Sequence, residues 1–260
     1  MREFGVDEAG KGPVLGSMFA AAVVADPADL PGDVGDSKGI APQRRTELAA
    51  EVREVATAVG VAEVTVERID DGETDMNSLT VAAHTEALAA ALDGFDEVPG
   101  SDGDGALSGY VDAGDTNAVR FERRVAEGLA DRLSAGAALD VRGEHGADET
   151  YPVVGAASIV AKVERDAHVD RLAEAYGDVG SGYPNDPATT EFLHAYVAEH
   201  DALPPCARRS WKTSRDALAD AAQSSLGEFE PDGGTVAETT GGAKADGGRA
   251  EPEPTTLDEF

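Results

Sequence analysis

The residues best suited to chemistry in this chain of 260 amino acids are acids that follow short apolar runs. Asp7 and Glu8 follow the run at 4–6, Asp112 closes a second run, and Asp148 precedes a long helical pattern. Acids that follow the strands of an α/β sheet tend to gather at one edge, where such folds bind ligands. Two carboxylates about 4 Å apart repel by about 4 kcal/mol at an effective dielectric of about 20, so a group of them needs a cation.

Oxygen ligands select hard metal ions, which indicates Mg²⁺ or Mn²⁺. Two such ions can activate a water molecule and stabilise the leaving oxygen of a phosphodiester. The chain has 51 acidic residues, however, and a solvated turn residue is the alternative interpretation for Asp112 and for Asp148.

A glycine-rich turn, Gly10-Lys11-Gly12-Pro13, follows the first pair of acids. Glycines at alternate positions allow backbone angles that are closed to other residues and can present bare N–H groups to an anion. The spacing of a Walker loop is absent, so the motif alone is a weak indication of a phosphate site. A plain polar turn that leaves a strand is the alternative.

The charge of the chain constrains its partners. The 51 acidic and 21 basic residues leave a formal net charge of −30, which should repel a polyanion at ordinary ionic strength. At 1 M salt the Debye length is only about 3 Å. Because the acids are scattered along the whole chain, we interpret them as the surface of a protein from a salt-rich cytoplasm rather than as a site for cations or basic partners.

Apolar runs and helical patterns alternate along residues 1–215, which predicts one α/β domain with a sheet covered by helices. We predict strands at 4–6, 14–24, 61–68, 106–111 and 137–141, and helices at 48–59, 78–92, 119–133, 155–176 and 186–199. Residues 216–260 are rich in Gly, Pro, Thr and Glu, which predicts a disordered acidic tail.

Neither a signal-peptide pattern nor a run of 18 apolar residues is visible, so we expect a cytoplasmic protein without a membrane partner. The single cysteine, Cys206, excludes an intrachain disulfide and is interpreted as a small apolar side chain. A monomer is expected, because no coiled-coil pattern or long apolar stripe is present.

Six segments occur together in a specific order, although each alone is weak. They are GVDEAGKGPVLG at 5–16, DSK at 36–38, YVDAGD at 110–115, ADETYPVVGAASIVAKVERD at 147–166, GSGYPNDPATTEFL at 180–193 and RRSWKT at 208–213. In this combination the chain resembles the type 2 ribonucleases H, specifically the archaeal ribonuclease HII branch. The resemblance implies a ribonuclease H-like mixed sheet flanked by helices, with a helical C-terminal portion.

The resemblance also implies an endonuclease that uses Mg²⁺ or Mn²⁺ to cut the RNA strand of RNA–DNA hybrids and to cut at single ribonucleotides in duplex DNA. Cleavage would fall 5′ of the ribonucleotide and leave 3′-hydroxyl and 5′-phosphate ends. The four catalytic, metal-holding carboxylates would be Asp7, Glu8, Asp112 and Asp148.

Gly10-Lys11-Gly12 matches the Gly-Arg-Gly loop of the family, whose backbone reads the ribose 2′-hydroxyl. Lys11 replaces the commoner Arg and donates as a point charge, so we expect a looser grip on phosphate. Tyr183 matches the tyrosine that packs on the sugar. Contacts to the nucleic-acid backbone are expected of five further basic residues, with a solvated side chain as the alternative for each: Lys38, Lys162, Arg208, Arg209 and Lys212.

Two smaller hypotheses concern the histidines and the C-terminus. His145, three residues before Asp148, could shuttle a proton, whereas surface or packing roles are expected of the other histidines, His84, His168, His194 and His200. The C-terminal segment at 254–260 resembles a sliding-clamp-binding peptide through Leu257 and Phe260, although Pro254 stands where Gln is expected and the second aromatic residue is missing.

Two rival functions stay open at this point. One is a non-catalytic hybrid- or clamp-binding protein, although all four carboxylates are present. The other is a metal-dependent DNA nuclease of the same superfamily, against which the GKG and GSGYP segments argue.

Overall fold

The computed structural model describes residues 1–35, 39–95, 106–133 and 138–227, with the backbone alone for 224–227. Five strands in these ranges form one sheet in the order β3-β2-β1-β4-β5. The strands are β1 (Glu3–Ala9), β2 (Met18–Ala25), β3 (Ala58–Val64), β4 (Leu107–Asp112) and β5 (Leu139–Glu144). Strand β1 pairs antiparallel with β2 and parallel with β4, so the predicted mixed sheet is confirmed.

Helices cover both faces of this sheet. The helices of the described residues are α1 (Pro42–Val55), α2 (Val66–Asp70), α3 (Met76–Leu92), α4 (Ala118–Arg132), α5 (Ala147–Thr150), α6 (Pro152–Tyr176), α7 (Pro187–His200) and α8 (Lys212–Gly227), with a short 3-10 turn at Pro27–Asp29. Helices α3 and α4 pack on one face and α1 and α6 on the other. Strand β2 is buried along its whole length because it faces helices on both sides.

Helix α6 lies unusually close to strand β1 at Gly5. A Cβ atom built on Gly5 would lie 2.2 Å from the carbonyl carbon of Val153, in the first turn of α6. The absence of a side chain on Gly5 therefore lets α6 cross β1 in direct backbone contact. This crossing sets the distance between the carboxyl half of β1 and the helix that runs above it.

A third apolar cluster joins the C-terminal helices to the segment between β1 and β2. It contains Val14 and Leu15 together with buried residues from 179–217. Leu15 also forms an isolated bridge with Ala207, and Gly16 has φ +78°. The helical C-terminal portion that the resemblance implies is therefore present and packs against the beginning of the chain.

Three predicted elements are corrected by the structure. The run at 14–24 is not one strand, because residues 14–15 join the third cluster and β2 begins at Met18. The pattern at 61–68 ends as a strand at Val64, because the Thr65 side chain accepts from the amide of Arg68 and starts helix α2. Val59, assigned to the helix at 48–59, lies in β3.

Helix α8 continues to Gly227 and buries Ala217, beyond the predicted start of the tail at residue 216. The remainder of the predicted tail, 228–260, lies outside the described residues. Among the parts of the chain that the structure describes, no helix is both long and apolar enough to cross a membrane.

Candidate active site

The four predicted carboxylates lie at one edge of the sheet. Asp7 and Glu8 are in β1 and Asp112 ends the neighbouring parallel strand β4. Val6 and Val111 are paired in the register of the two strands, so Asp7 and Asp112 each follow a paired residue. Asp148 lies in α5, directly before α6, and the backbone N–H of Ala147 beside it donates to Asp112 Oδ1 at 2.9 Å. The topology therefore brings all four residues to one place.

Burial and the charges of neighbouring carboxylates raise the pKa values of Asp7 and Asp112. The side chain of Asp7 is buried, and burial raises its pKa well above the usual value, with further contributions from the negative charges of Glu8 and Asp112. Hydrogen bonds from the Ser158 hydroxyl and from the Glu8 amide, the latter at 2.7 Å, oppose that rise. The pKa of Asp112 is also raised, first by burial and then by the charges of Glu8 and Asp148. The group is therefore unfavourable without a cation.

The donor set fits a hard divalent cation. Within the described ranges, no three His, Cys, Asp or Glu side chains form a ready-made metal cage. Mg²⁺ does not require one, because it commonly takes one or two carboxylates and completes its shell with waters and substrate phosphate oxygens. The oxygen-only donors and their mutual repulsion therefore suit an ion that is shared between the protein and its substrate.

His84 makes a contact that the sequence did not predict. Its ring is fully buried in α3, and Nε2 lies 2.7 Å from Glu8 Oε2. The ring also makes an edge-to-face contact with Phe121, with centroids 5.1 Å apart. With the hydrogen on Nε2, His84 donates to Glu8 and leaves Nδ1 as an acceptor, which has no partner among the described residues. His84 therefore has a second role beside the expected one in packing, because it also orients a predicted catalytic carboxylate.

The glycine loop stands beside the carboxylates at the wall of a cleft of about 790 Å³. Gly10 has φ +90°, a conformation that favours glycine, and a Cβ built on Gly12 would lie 3.6 Å from the ring of Tyr183. The ring of Tyr183 is 42% exposed. The cleft is lined by Glu8, Gly10, Lys11, Gly12, Lys162, Arg165 and Tyr183, among others. The two segments expected to read the sugar therefore share one cleft with an expected catalytic residue.

Lys11 does not extend into open solvent. Its amine donates to the carbonyl of Gly114 and, at 3.1 Å, to Asn77 Oδ1. These contacts tie the glycine loop to helix α3 and to the segment after β4, which begins at Ala113. The amine of Lys11 is thus bonded within the protein, to a glycine that neighbours Glu8, although the family resemblance suggested a grip on phosphate.

The other expected backbone contacts have different surroundings. Arg208 is fully buried and donates to backbone carbonyls, so the expected nucleic-acid contact is wrong for this residue. Lys162 lines the cleft and donates to Ser158 Oγ at 2.8 Å, whose hydroxyl in turn bonds Asp7. Lys212 pairs with Asp216 on the surface.

Arg209 lies at a second, smaller cavity beside Asp70. His145 is exposed, with Nδ1 3.2 Å from the carbonyl of Ala113. Cys206 is buried as expected. Three of the predicted site residues lie outside the described residues: Lys38, Leu257 and Phe260.

Comparisons with known proteins place these features in a family. The profile of "Ribonuclease HII" matches residues 4–214. A ribonuclease HII from Haloarcula marismortui is 62% identical over 227 residues, which covers 87% of this chain and 99% of that protein.

Two solved structures share the fold. The crystal structure of ribonuclease H2 from Pyrococcus horikoshii superposes with a TM-score of 0.73 at 34% identity and covers 86% of this chain and 100% of that one. The ribonuclease HII in a PCNA complex from Archaeoglobus fulgidus superposes with a TM-score of 0.69 at 35% identity, covering 83% of this chain and 96% of that one.

Proposed function

The chain belongs to the ribonuclease HII family and is a ribonuclease H, an endonucleolytic hydrolase of a divalent-metal-dependent family, and from that premise we propose its cleavage pattern, its site residues and its partner. It hydrolyses the RNA strand of RNA–DNA hybrids. In duplex DNA it cuts on the 5′ side of an embedded ribonucleotide and leaves 3′-hydroxyl and 5′-phosphate ends.

The residues proposed to hold the metal are Asp7, Glu8, Asp112 and Asp148, with Mg²⁺ or Mn²⁺ as the ion. When bound, the metal supplies activation of a water molecule and stabilisation of the leaving oxygen. The protein contributes the positions of the carboxylates: Ser158 bonds Asp7, His84 bonds Glu8, and the amide of Ala147 bonds Asp112. Each of these bonds orients an oxygen ligand before substrate arrives.

The observation that carries this proposal is one cleft lined by Glu8, the glycine loop and Tyr183. A carboxylate group that needs a cation lies directly beside a backbone segment and a tyrosine that can contact a sugar. The 2′-hydroxyl is the group that distinguishes a ribonucleotide from a deoxyribonucleotide at such a site. A general DNA nuclease would not need a site for a 2′-hydroxyl, because its substrate lacks that group.

One cleavage assay tests the proposal against both rivals. A duplex with one ribonucleotide, an all-DNA duplex and an RNA–DNA hybrid are incubated with Mg²⁺ or with Mn²⁺ over a series of KCl concentrations. We expect cutting of the first and third substrates, with the 5′ junction as the site. Cutting of the all-DNA duplex would indicate a DNA nuclease, and binding without cutting in all conditions would indicate a non-catalytic protein.

A pair of variants sharpens the assay. Asp112→Asn removes a proposed metal ligand and should abolish cutting. Asp140→Asn changes an exposed acid on the neighbouring strand β5, whose carboxylate pairs with Arg142, and should leave the rate unchanged. Equal activity of the two variants would contradict the assignment of Asp112.

We also propose that the C-terminal segment binds the replication sliding clamp through Leu257 and Phe260. The solved relative from Archaeoglobus fulgidus in complex with PCNA supports a clamp partner. Deletion of residues 250–260 should abolish binding to the clamp in a surface-plasmon assay and leave cleavage of a short duplex unchanged. Unchanged clamp binding would refute this part of the proposal.

The proposed substrates occur in replicating and repaired DNA, and we propose that the protein acts in the cytoplasm. We also propose that it acts as a monomer. The net charge of −30 is proposed to keep the protein in solution at high salt. The proposed domains are a catalytic unit over 1–215 and an acidic tail after it.

A further inference from the structure

The glycine loop is held from behind by two residues of the RRSWKT segment. Arg208 donates through Nε to the carbonyl of Gly16 at 2.8 Å, through Nη1 to that of Lys11 at 2.9 Å, and through Nη2 to that of Gly10 at 2.6 Å. Trp211 donates through Nε1 to the carbonyl of Gly12 at 3.1 Å. We call Arg208 and Trp211 the clasp. It holds three successive carbonyls, those of residues 10–12.

The two clasp residues also support each other. The guanidinium of Arg208 lies over the indole of Trp211, with its carbon 4.8 Å from the ring centroid. Such a contact fixes the plane of the guanidinium and therefore the directions of its N–H groups. Arg208 is fully buried, and its bonds to the loop are shielded from solvent.

This grip determines which way the loop amides point. The described residues contain no cis peptide, and in a trans peptide the carbonyl and the following N–H point in opposite directions. Because the carbonyls of Gly10 and Lys11 point inward to Arg208, the N–H groups of Lys11 and Gly12 point away from it. Both residues line the cleft. Neither amide donates to an acceptor among the described residues.

Burial of the Arg208 guanidinium carries an energetic cost. Burial lowers the pKa of Arg208 to about 9, and the positive charge of Arg165 contributes to the same direction. In the part of the chain that the structure describes, no salt bridge joins Arg208 to a carboxylate, although the charge of Asp70 opposes the fall of its pKa. Burying an arginine without a carboxylate partner is unfavourable unless its donors are satisfied, and here backbone carbonyls satisfy them.

Arg165 holds the second cleft segment through one nitrogen only, while its Nε and Nη1 have no partner among the described residues. It is 5% exposed and donates through Nη2 to the carbonyls of Leu15 and Ser181, at 3.2 and 3.3 Å. Ser181 lies two residues before Tyr183. A pair of buried guanidinium groups thus lies behind both segments that are expected to meet the sugar.

We propose that Arg208 and Trp211 are positioning residues for ribonucleotide selection: by holding the carbonyls of residues 10–12, they aim the amides of Lys11 and Gly12 at the 2′-hydroxyl of the substrate. This inference rests on the proposed function. Glycine peptides rotate easily, so a loop without the clasp would lose the orientation of its amides. Because Arg208 is fully buried, the selectivity that its bonds provide should persist at salt concentrations that weaken overall affinity for the duplex.

The test measures selectivity instead of rate. The dissociation constants of a duplex with one ribonucleotide and of the matching all-DNA duplex are measured without a divalent metal, and their ratio is compared among variants. Trp211→Phe keeps an aromatic ring beside Arg208 and removes the indole N–H that donates to Gly12. We expect the ratio to fall about five-fold, the usual effect of one neutral hydrogen bond. Arg208→Lys removes the fork that joins three carbonyls and should have a larger effect.

Leu193→Val serves as the stability control, because Leu193 is buried in the third apolar cluster on helix α7 and belongs neither to the clasp nor to the glycine loop. It should lower Tm and leave the ratio unchanged. A ratio in Trp211→Phe within two-fold of the starting protein would overturn the inference, even if Arg208→Lys fails to fold. If the unaltered protein shows no preference for the ribonucleotide, the proposed function itself fails, and the two failures are thereby distinguished.

Discussion

Replacing His84 by Phe would test whether the orientation of Glu8 sets the rate of cleavage. The substitution keeps a buried ring against Phe121 and removes the nitrogen that lies 2.7 Å from Glu8 Oε2. Glu8 would then be free to rotate away from its neighbours. Because His84 has no contact with solvent, the substitution does not alter the surface that meets the duplex.

The size of the effect follows from the nature of the lost bond. A hydrogen bond to a charged group contributes about 1.5–3 kcal/mol, and about 1.4 kcal/mol corresponds to ten-fold in a rate or equilibrium constant. The Glu8 side chain is 10% exposed, so water can replace part of the bond. We therefore expect kcat/KM to fall about ten-fold. The loss of stability should be about 1 kcal/mol, or about 2–4 °C in Tm for a chain of this size.

The assay is a titration of cleavage rate against Mn²⁺ and Mg²⁺ for both proteins. If His84 orients a metal ligand, the variant should need more metal for half-maximal rate and should recover part of the rate at high metal. His168→Phe is the matched control, since His168 is largely buried against Phe19 and its Nε2 accepts from the Ser17 amide at 3.2 Å, whereas the Nε2 of His84 bonds Glu8. A His84→Phe enzyme within two-fold of the starting kcat/KM at every metal concentration would refute the reasoning.

Three further predictions follow from the charges and burial of named groups. Asp7→Asn should abolish cleavage and yet raise Tm in EDTA. A carboxyl group whose pKa is raised in the fold destabilises the folded state above its unfolded pKa, and the amide removes that cost. A lower Tm would contradict the unfavourable burial and repulsion of Asp7. Divalent metal should raise Tm of the starting protein more than that of Asp7→Asn in thermal scans, and equal shifts would argue against Asp7 as a ligand. Burial raises the pKa of Cys206 to about 11. Iodoacetamide at pH 8 should therefore label the folded chain at least about 100-fold more slowly than the chain in denaturant, and the rate should rise as the pH approaches 11. Equal labelling rates by mass spectrometry would show that Cys206 is accessible.

The gathering of the carboxylates could be predicted from sequence because it depends on a general rule of sheets. Asp7 and Asp112 follow apolar strands, and parallel neighbours place such residues at the same edge. Asp148 could be placed because it precedes a long helix. None of these inferences needs a specific tertiary contact.

The sequence hints at a buried His84 but cannot identify Glu8 as its partner. His84 lies on the same helical stripe as Val81 and Leu88, which indicates a buried histidine. Glu8 is 76 residues away, and only the packing of α3 against the sheet brings the two together. A polar residue in an apolar stripe thus signals that a buried partner exists without naming it.

The burial of Arg208, unlike that of His84, could not be predicted from the sequence. An arginine in RRSWKT reads as a surface cation, because charged residues are rarely buried without a carboxylate partner. Its acceptors are backbone carbonyls, which every residue carries, so no sequence pattern reveals them. Likewise the run from Val14 to Val24 reads as one strand, since the separation of residues 14–15 from β2 depends on where the C-terminal helices pack.

The close crossing at Gly5 makes the metal site sensitive to a position that never meets substrate. Any side chain at Gly5 would clash with the backbone of the first turn of α6 and push the helix away from the sheet. Ser158 rides on that helix and Asp148 immediately precedes it, whereas Asp7 stays with the strand below. A single methyl group at Gly5 would therefore widen the distances between the proposed metal ligands. The enzyme cannot tolerate substitution of Gly5 for as long as its activity depends on those distances.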